Sequence, residues 1–219
     1  MKRVFFVVLL CFFSASPALA QEPGTCLVNA ARQQIGVTLI YDPAYSHLRY
    51  PNGDVSPERG VCTDVLIRAY RVFGVDLQSL VHEDMAISWA RYPKLWGLTR
   101  PDSNIDHRRV PNLQTFFAAH GQKLRPTRDT AAYKPGDIVT WQLASGVPHI
   151  GLVSDKRSYA GTPLVIHNIG AGTREEDVLF SYEITGHYRY SPTMLRGACA
   201  DAQEPSRSIS DRFRSTPQR

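Results

Sequence analysis

Residues 59–76, with the sequence RGVCTDVLIRAYRVFGVD, decide how the first half of this 219-residue chain folds. The apolar residues that follow Cys62 recur at intervals of three and four, which is the period of a helix that buries one face. Gly74 is typical of the position just after a helix. The stretch therefore predicts an amphipathic helix that begins near Cys62, with the cysteine in its first turn and on its buried face.

Regular structure is also predicted on both sides of this helix. Three more segments have helical periodicity, and they are 25–35, 77–90 and 112–120. Four short β-rich runs follow in the second half of the chain, and they are 136–143, 149–154, 163–169 and 178–184. Because helices come first and strands afterwards, we expect an α+β fold in which the N-terminal helices pack on an antiparallel β-sheet.

The first twenty residues, MKRVFFVVLLCFFSASPALA, have the features of an export signal. They begin with basic residues, continue with the apolar run 4–13 and end with small residues. The apolar part of such a cleavable segment is too short to anchor a protein in a bilayer. We therefore expect cleavage of residues 1–20 and a periplasmic protein without stable membrane insertion. Secretion beyond the periplasm is compatible with the same signal.

The mature chain is long enough for one well-buried core, so we expect a single domain over residues 21–200. The polar stretch 201–219 has few large apolar residues and is expected to be disordered. Lys and Arg exceed Asp and Glu only slightly, 25 to 20, and no basic run is interleaved with aromatic residues. The composition therefore argues against a nucleic-acid partner. We expect a monomer.

Three cysteines remain after signal cleavage, and an odd number leaves at least one thiol unpaired in a monomer. Cys26 and Cys199 lie near the two ends of the expected domain, where chain termini are often close in space. A disulfide between them would leave Cys62 as the free thiol. The alternatives are that Cys62 pairs with another cysteine or is a small buried apolar residue.

A thiol is an effective nucleophile only when it is deprotonated. A helix N-terminus and a nearby imidazolium lower its pKa from about 8.5 to between about 3.5 and 7.5, so Cys62 needs a histidine from elsewhere in the chain. His149 opens a predicted strand, and Gly151 on the same face leaves room for close approach. Either His167 or Asn168 on the next strand can accept the ring N–H of His149, and strand alternation does not decide between them.

The order of these motifs resembles that of known bacterial proteins. A cysteine at a helix start, followed by KPGDIVTW, HIGLV and VIHN, is similar to the pattern of the NlpC-type papain-like cysteine peptidases. With QIGVTLIYDPAY, GVCTDVLIRAYR, NIDHRRVPNL and ITGHYRY added, the chain more closely resembles an exported bacterial family known as domain of unknown function 1287. This second resemblance extends over nearly the whole mature chain.

The resemblance to the NlpC-type peptidases implies a papain-like fold and cleavage of amide bonds in peptidoglycan peptide stems. It implies Cys62 as nucleophile, His149 as general base and acid, and His167 as the residue that orients His149. It also implies a tyrosine hydroxyl near the oxyanion, for which Tyr50 is the preferred match and Tyr41 the second choice. No metal ion or other cofactor is implied.

The segment NIDHRR, residues 104–109, is a candidate substrate-binding loop. Its residues Asp106, His107, Arg108 and Arg109 can line a cleft, and the two arginines can hold a carboxylate of an acidic peptide stem. The alternative is that these charges form ion pairs that hold the loop in place.

Two further functions are compatible with the same residues. One is a non-catalytic module that retains the papain-like shape and binds a wall peptide or a protein in the cleft. The other retains the thiol chemistry but acts on an ester or a lipid-linked acyl group. Thr63 and Asp64 follow the cysteine where the peptidases usually have small residues, which leaves the substrate more open than the mechanism.

Overall fold

The computed structural model describes residues 22–201. The expected signal peptide, 1–20, and residues 202–219 of the expected tail lie outside this range. The α-helices in the range are α1 (Pro23–Arg32), α2 (Cys62–Arg71), α3 (Leu77–Ile87), α4 (Val110–His120) and α5 (Thr193–Asp201). The strands are β1 (Ile40–Tyr41), β2 (Arg59–Gly60), β3 (Gln122–Leu124), β4 (Ile138–Gln142), β5 (Pro148–Arg157), β6 (Pro163–Asn168), β7 (Thr173–Glu176) and β8 (Glu183–Arg189).

One antiparallel sheet contains six of these strands, in the order β3-β8-β4-β5-β6-β7. In the pairing of β4 with β5, Trp141 lies opposite His149. In the pairing of β5 with β6, Leu152 lies opposite Ile166. Because β5 and β6 run in opposite directions, the start of β5 and the end of β6 meet at one end of the sheet. β1 and β2 form a separate parallel pair that leads into α2.

The main core lies between the helices and one face of the sheet. Ile138, Ile150 and Leu152 of the sheet are fully buried there, together with Leu27 of α1 and Leu66 of α2. Burial of each such side chain stabilises the fold by about 1.5–3 kcal/mol, so the apolar stripe of a helix determines which side turns to the sheet. The expected fold class, α+β with N-terminal helices packed on an antiparallel sheet, is confirmed.

A second apolar cluster covers the opposite face of the sheet. Val139 and Trp141 of β4 pack there against Tyr133 and Leu179, which lie outside the strands. The indole Nε1 of Trp141 donates to the carbonyl oxygen of Leu179 at 3.0 Å. The side chains that alternate along β4 are therefore buried on both faces.

The predicted strand 178–184 is wrong over most of its length. Residues 178–182 form a loop with a turn at 179–181, and β8 begins only at Glu183. The apolar residues of this segment were a signal of burial rather than of extended structure, because they cover the second face of the sheet as a loop. The strand β7, with the sequence TREE, is not anticipated by the sequence pattern.

A disulfide joins Cys26 of α1 to Cys199 of α5, with 6.0 Å between their Cα atoms. This pairing confirms the bridge expected between the two ends of the domain, and Cys62 is the free cysteine of the described range. None of the helices between residues 22 and 201 combines the length and the apolar character needed to span a bilayer.

Candidate active site

Cys62 is the first residue of α2, and two side chains hold the backbone that leads into it. The carboxylate of Asp64, in the first turn, accepts the backbone N–H of Val61 at 2.7 Å, as in a capping box. Nδ2 of Asn168, at the end of β6, donates to the carbonyl oxygen of Gly60 at 3.2 Å. The start of α2 is thereby attached to the end of the sheet where β5 begins.

The sulfur of Cys62 is a buried free thiol, with 5% of the residue exposed. The backbone N–H groups of Ile150 in β5 and of Thr63 and Cys62 at the helix start act to lower the pKa of this thiol. Ile150 directly follows His149 in the sequence. The thiol and the candidate histidine therefore come from opposite halves of the chain to the same end of the sheet.

His149 forms a hydrogen bond with His167, with 2.9 Å between Nε2 of His149 and Nδ1 of His167. Nε2 of His167 lies 3.1 Å from Oε2 of Glu176 on β7. A carboxylate accepts hydrogen bonds, so we assign the proton of His167 to Nε2 and the proton of His149 to its own Nε2. This assignment leaves Nδ1 of His149 as the nitrogen able to accept a proton.

These hydrogen bonds also show which residue of β6 orients His149. His167 does so, whereas Asn168 bonds to the backbone before Cys62. A Cβ atom at Gly151 would lie 2.6 Å from Cγ1 of Val165 and 3.1 Å from Cβ of His167, so the missing side chain lets β6 approach β5 closely here. The ring of Trp141 stacks on His149, with 5.7 Å between ring centroids, and restricts its orientation.

The tyrosine hydroxyl beside the sulfur belongs to Tyr41, at the end of β1. Tyr41 lines the same cleft as Cys62, and burial, with a contribution from Cys62, raises the pKa of Tyr41 to about 12. Tyr50 is 41% exposed and directs its hydroxyl to Oε1 of Glu83 in α3, at 2.9 Å. The structure thus places Tyr50 beside α3, to which the loop after β1 carries it, and Tyr41, the second choice of the sequence, in the cleft with Cys62.

Burial disfavours the charged forms of both the thiol and the imidazole. Burial raises the pKa of Cys62 to about 12, and the nearby carboxylate of Asp64 adds to the rise. Burial also lowers the pKa of His149 to about 3. The direction of the shift at Cys62 is opposite to the lowering expected at a helix start, because the loss of hydration opposes the effect of the backbone amides there.

Arg108 forms a buried ion pair with Asp64. Their side chains are 2% and 4% exposed, and the two hydrogen bonds measure 2.9 Å from Nη2 to Oδ2 and 3.1 Å from Nε to Oδ1. Oγ1 of Thr63 donates to the carbonyl oxygen of Arg108 at 3.2 Å. The guanidinium is therefore neutralised within the protein, and it fixes the first turn of α2 to the loop 104–109.

Asp106 and His107 also have structural surroundings. Oδ2 of Asp106 accepts the backbone N–H of Asp102 at 2.7 Å and lies 2.9 Å from Nδ1 of His82. His107 is 1% exposed, and burial lowers its pKa to about 3. With Arg108, these residues hold the loop in place, which is the alternative that the sequence left open, and Asp106 and His107 are not among the described residues that line the cleft at Cys62.

A cleft of about 810 Å³ opens at Cys62. Tyr41, Pro148, Trp96 and Arg109 are among the residues that line it with Cys62. Pockets of this size accommodate small organic ligands and short peptide segments. Arg109 is thus the residue of the loop 104–109 that remains a candidate for substrate binding.

Residues 28–190 match the family model described as "Domain of unknown function (DUF1287)". The chain belongs to this family. The resemblance found from its motifs is thereby confirmed. A relative from Escherichia coli strain K12, named "Uncharacterized protein YijF", is 63% identical over 165 residues, which cover 75% of this chain and 80% of the relative.

This DUF1287 chain is also similar to two solved structures from Trichomonas vaginalis. The one titled NlpC1 is 16% identical with a TM-score of 0.43, and the match covers 76% of this chain and 44% of that one. The one titled NlpC2 is 18% identical with a TM-score of 0.42, and the match covers 80% and 48%. The chain spans less than half the length of either structure.

Sequence reasoning missed Glu176 in the site of this DUF1287 domain. Glu176 lies opposite Val165 in the sheet, two residues along β6 from His167. No pattern in TREE distinguishes Glu176 from Glu175, which pairs with Arg32 instead. Between residues 22 and 201, no group of three or more His, Cys, Asp or Glu side chains is arranged to hold a metal ion.

Proposed function

We propose that this DUF1287 protein is a cysteine hydrolase that cleaves amide bonds in the peptide stems of peptidoglycan. The observation that carries the proposal is the convergence of Cys62, His149, His167 and Glu176 at one end of the sheet, where Cys62 opens onto the cleft. The substrate class is supported by the resemblance of the sequence motifs to those of the NlpC-type peptidases.

The proposed location is the periplasm. The signal-like sequence of residues 1–20 supports export, and so does the disulfide between Cys26 and Cys199, since such bonds persist mainly in oxidising compartments. We propose one domain over residues 21–200; Asp201, which the sequence assigned to the tail, is the last residue of α5.

In the proposed mechanism, Cys62 attacks the carbonyl carbon of the substrate amide. The thiol proton passes to Nδ1 of His149 as the sulfur–carbon bond forms. His167 accepts the remaining N–H of His149, and Glu176 holds His167 in the tautomer that permits this. The backbone N–H of Cys62 and the hydroxyl of Tyr41 donate to the oxyanion.

The acyl-enzyme then forms and is hydrolysed. The carbon–nitrogen bond breaks as His149 returns its proton to the leaving amine, which gives a thioester on Cys62. His149 next takes a proton from water, and the water oxygen attacks the thioester carbon. Release of the carboxylic acid restores the thiol and the neutral imidazole.

A non-catalytic binding module is the second candidate. The observation that favours it is the state of Cys62, which is almost fully buried and has a pKa raised to about 12. Such a thiol is a poor nucleophile unless bound substrate and His149 remove its proton. Under this alternative the cleft holds a wall peptide or a protein segment without cleavage.

Digestion of purified peptidoglycan sacculi tests the proposal. Wild-type protein is expected to release soluble fragments that mass spectrometry identifies by their new amine and carboxyl ends, and Cys62→Ser and His149→Ala are expected to release none. Tyr50→Phe is the matched control, since its hydroxyl bonds to Glu83 outside the site. Equal release by Cys62→Ser would reject thiol catalysis. Binding of sacculi without any release by wild type would favour the module, and cleavage of a small ester alone would favour the ester substrate.

A further inference from the structure

Two adjacent arginines, Arg108 and Arg109, line the cleft and differ in their hydrogen-bond partners. Arg108 makes two hydrogen bonds to the carboxylate of Asp64. Nη1 of Arg109 is buried and has no hydrogen-bond partner among the described residues. Asp102 and Asp106 act on Arg109 through their charge, but they accept hydrogen bonds from other groups, as described above for Asp106. Arg109 therefore has unused hydrogen-bonding capacity.

The guanidinium of Arg109 is held by an aromatic ring. Its Cζ lies 4.4 Å from the ring centroid of Trp96, a cation–π distance. Trp96 is 58% exposed. Its φ of 57° is a backbone conformation that residues other than glycine rarely adopt and that is found preferentially at ligand-binding sites. The stacked ring orients the planar guanidinium in advance, so that less conformational freedom is lost when an anion binds.

The charges of the cleft are not balanced within the protein. Among the described residues that line it, none is Asp or Glu. Arg108 is paired with Asp64, whereas Asp102 and Asp106 act on Arg109 through their charge without forming an ion pair with it. Burial lowers the pKa of Arg109, which means that its charge is costly where it stands. An anion in the cleft would offset this cost.

We propose that Arg109, oriented by Trp96, is a subsite for a free carboxylate on the substrate, in the same cleft as Cys62. One cation without an ion-pair partner fits a singly charged anion, and the planar fork of arginine matches a carboxylate with two parallel hydrogen bonds. Leu95 and Val147 also line the cleft and are about half exposed, so they offer apolar contacts to the aliphatic part of such a residue. The occupant is therefore a peptide with an acidic residue or a free C-terminus near the bond that is attacked.

This inference rests on the proposed function for the identity of the peptide, and a binding experiment separates the two. Full-length protein with Cys62→Ser is titrated in a calorimeter with stem peptides that carry free carboxylates, and with the same peptides after conversion of every carboxylate to a carboxamide. We expect the free carboxylates to bind more tightly. Adding Arg109→Gln should weaken binding of the carboxylate peptides by about tenfold or more and leave the carboxamide peptides unchanged.

Matched variants exclude indirect effects. Arg128 stacks on Phe180 in a hollow elsewhere on the protein, at 5.8 Å, so Arg128→Gln removes the same charge and the same type of contact without entering the cleft. It should leave both affinities unchanged. Arg109→Lys keeps the charge but not the fork and should recover part of the affinity. Melting temperatures confirm that each variant is folded.

Two outcomes would overturn the subsite. One is equal affinity for carboxylate and carboxamide peptides in the Cys62→Ser protein, and the other is an equal loss of both with Arg109→Gln. Because the titration needs no catalysis, it tests the carboxylate subsite independently of the hydrolase. A failure of sacculus digestion would reject only the hydrolase.

Discussion

Nε2 of His149 and Nδ1 of His167 lie 2.9 Å apart on neighbouring strands, so the proton on one ring determines the tautomer of the other. Glu176 extends this chain by accepting from Nε2 of His167. The carboxylate is thus two hydrogen bonds away from the nitrogen that receives the thiol proton in the proposed mechanism. Its role is to fix tautomers, as second partners of catalytic and metal-binding histidines do elsewhere.

The first prediction concerns Glu176. Replacing it by Leu removes the acceptor and should lower kcat by about tenfold or more with little change in KM, because the tautomers are no longer fixed. Glu176→Gln keeps an acceptor oxygen and should retain most of the activity. Steady-state kinetics on a stem peptide separates the two parameters. Equal activity of the Leu variant and wild type would show that the chain of hydrogen bonds ends at His167.

The second prediction concerns the ionisation of Cys62. Because burial raises the pKa of the thiol to about 12, the thiolate fraction should increase about tenfold for each pH unit between pH 7 and pH 10. The rate of alkylation by iodoacetamide, followed by mass spectrometry, should rise with that slope and show no plateau. His149→Ala should change this slope little in the absence of substrate.

A plateau in the alkylation rate below pH 7 would contradict this expectation. It would mean that Cys62 and His149 form a thiolate–imidazolium pair before substrate binds, with the proton already on the ring. Alkylation of the same protein after denaturation provides the reference for an accessible thiol, whose ordinary pKa is about 8.5.

The third prediction separates two tyrosines. Tyr41 lines the cleft with Cys62, so Tyr41→Phe removes the proposed donor to the oxyanion and should lower kcat by up to about 10²- to 10³-fold. Tyr50→Phe loses only the bond to Glu83 and should leave kcat unchanged. Loss of activity in Tyr50→Phe alone would contradict this prediction. It would assign the contact with the oxyanion to Tyr50, which the resemblance of the motifs favours.

The sequence predicted the elements of the site better than its contacts. Periodicity located α2 and placed Cys62 in its first turn, and β propensity located β4, β5 and β6, because these features are local. The prediction of a strand over 178–184 failed for a physical reason, since a loop that covers a sheet is as apolar as a strand. A propensity reports burial, and the partner that provides the burial is a property of the tertiary structure.

Contacts between distant segments were outside the reach of these patterns. The choice between Tyr41 and Tyr50 depends on the course of the loop between β1 and β2, which no periodicity describes. The ion pair between Asp64 and Arg108 joins residues that are separated by more than forty positions. Likewise, the raised pKa of Cys62 follows from burial that exists only in the folded chain, whereas a helix start is visible in the sequence and suggests the opposite shift.

The last prediction concerns the stability of the first turn of α2. Arg108→Met leaves the carboxylate of Asp64 buried without its partner, and it should lower the free energy of unfolding by about 3–5 kcal/mol. Asp64→Asn keeps an oxygen for the N–H of Val61 but leaves the guanidinium of Arg108 buried without a carboxylate. It should lower the free energy of unfolding by a similar amount. The double variant Asp64→Asn/Arg108→Met removes both charges and should be more stable than either single variant. Urea denaturation of the four proteins gives the coupling energy of the pair.

Arg59→Ala is the matched control, because its ion pair with Asp42 is at the surface and should contribute about 0–1 kcal/mol. Additive losses in the double variant would show that the two side chains stabilise the helix start independently rather than as a pair.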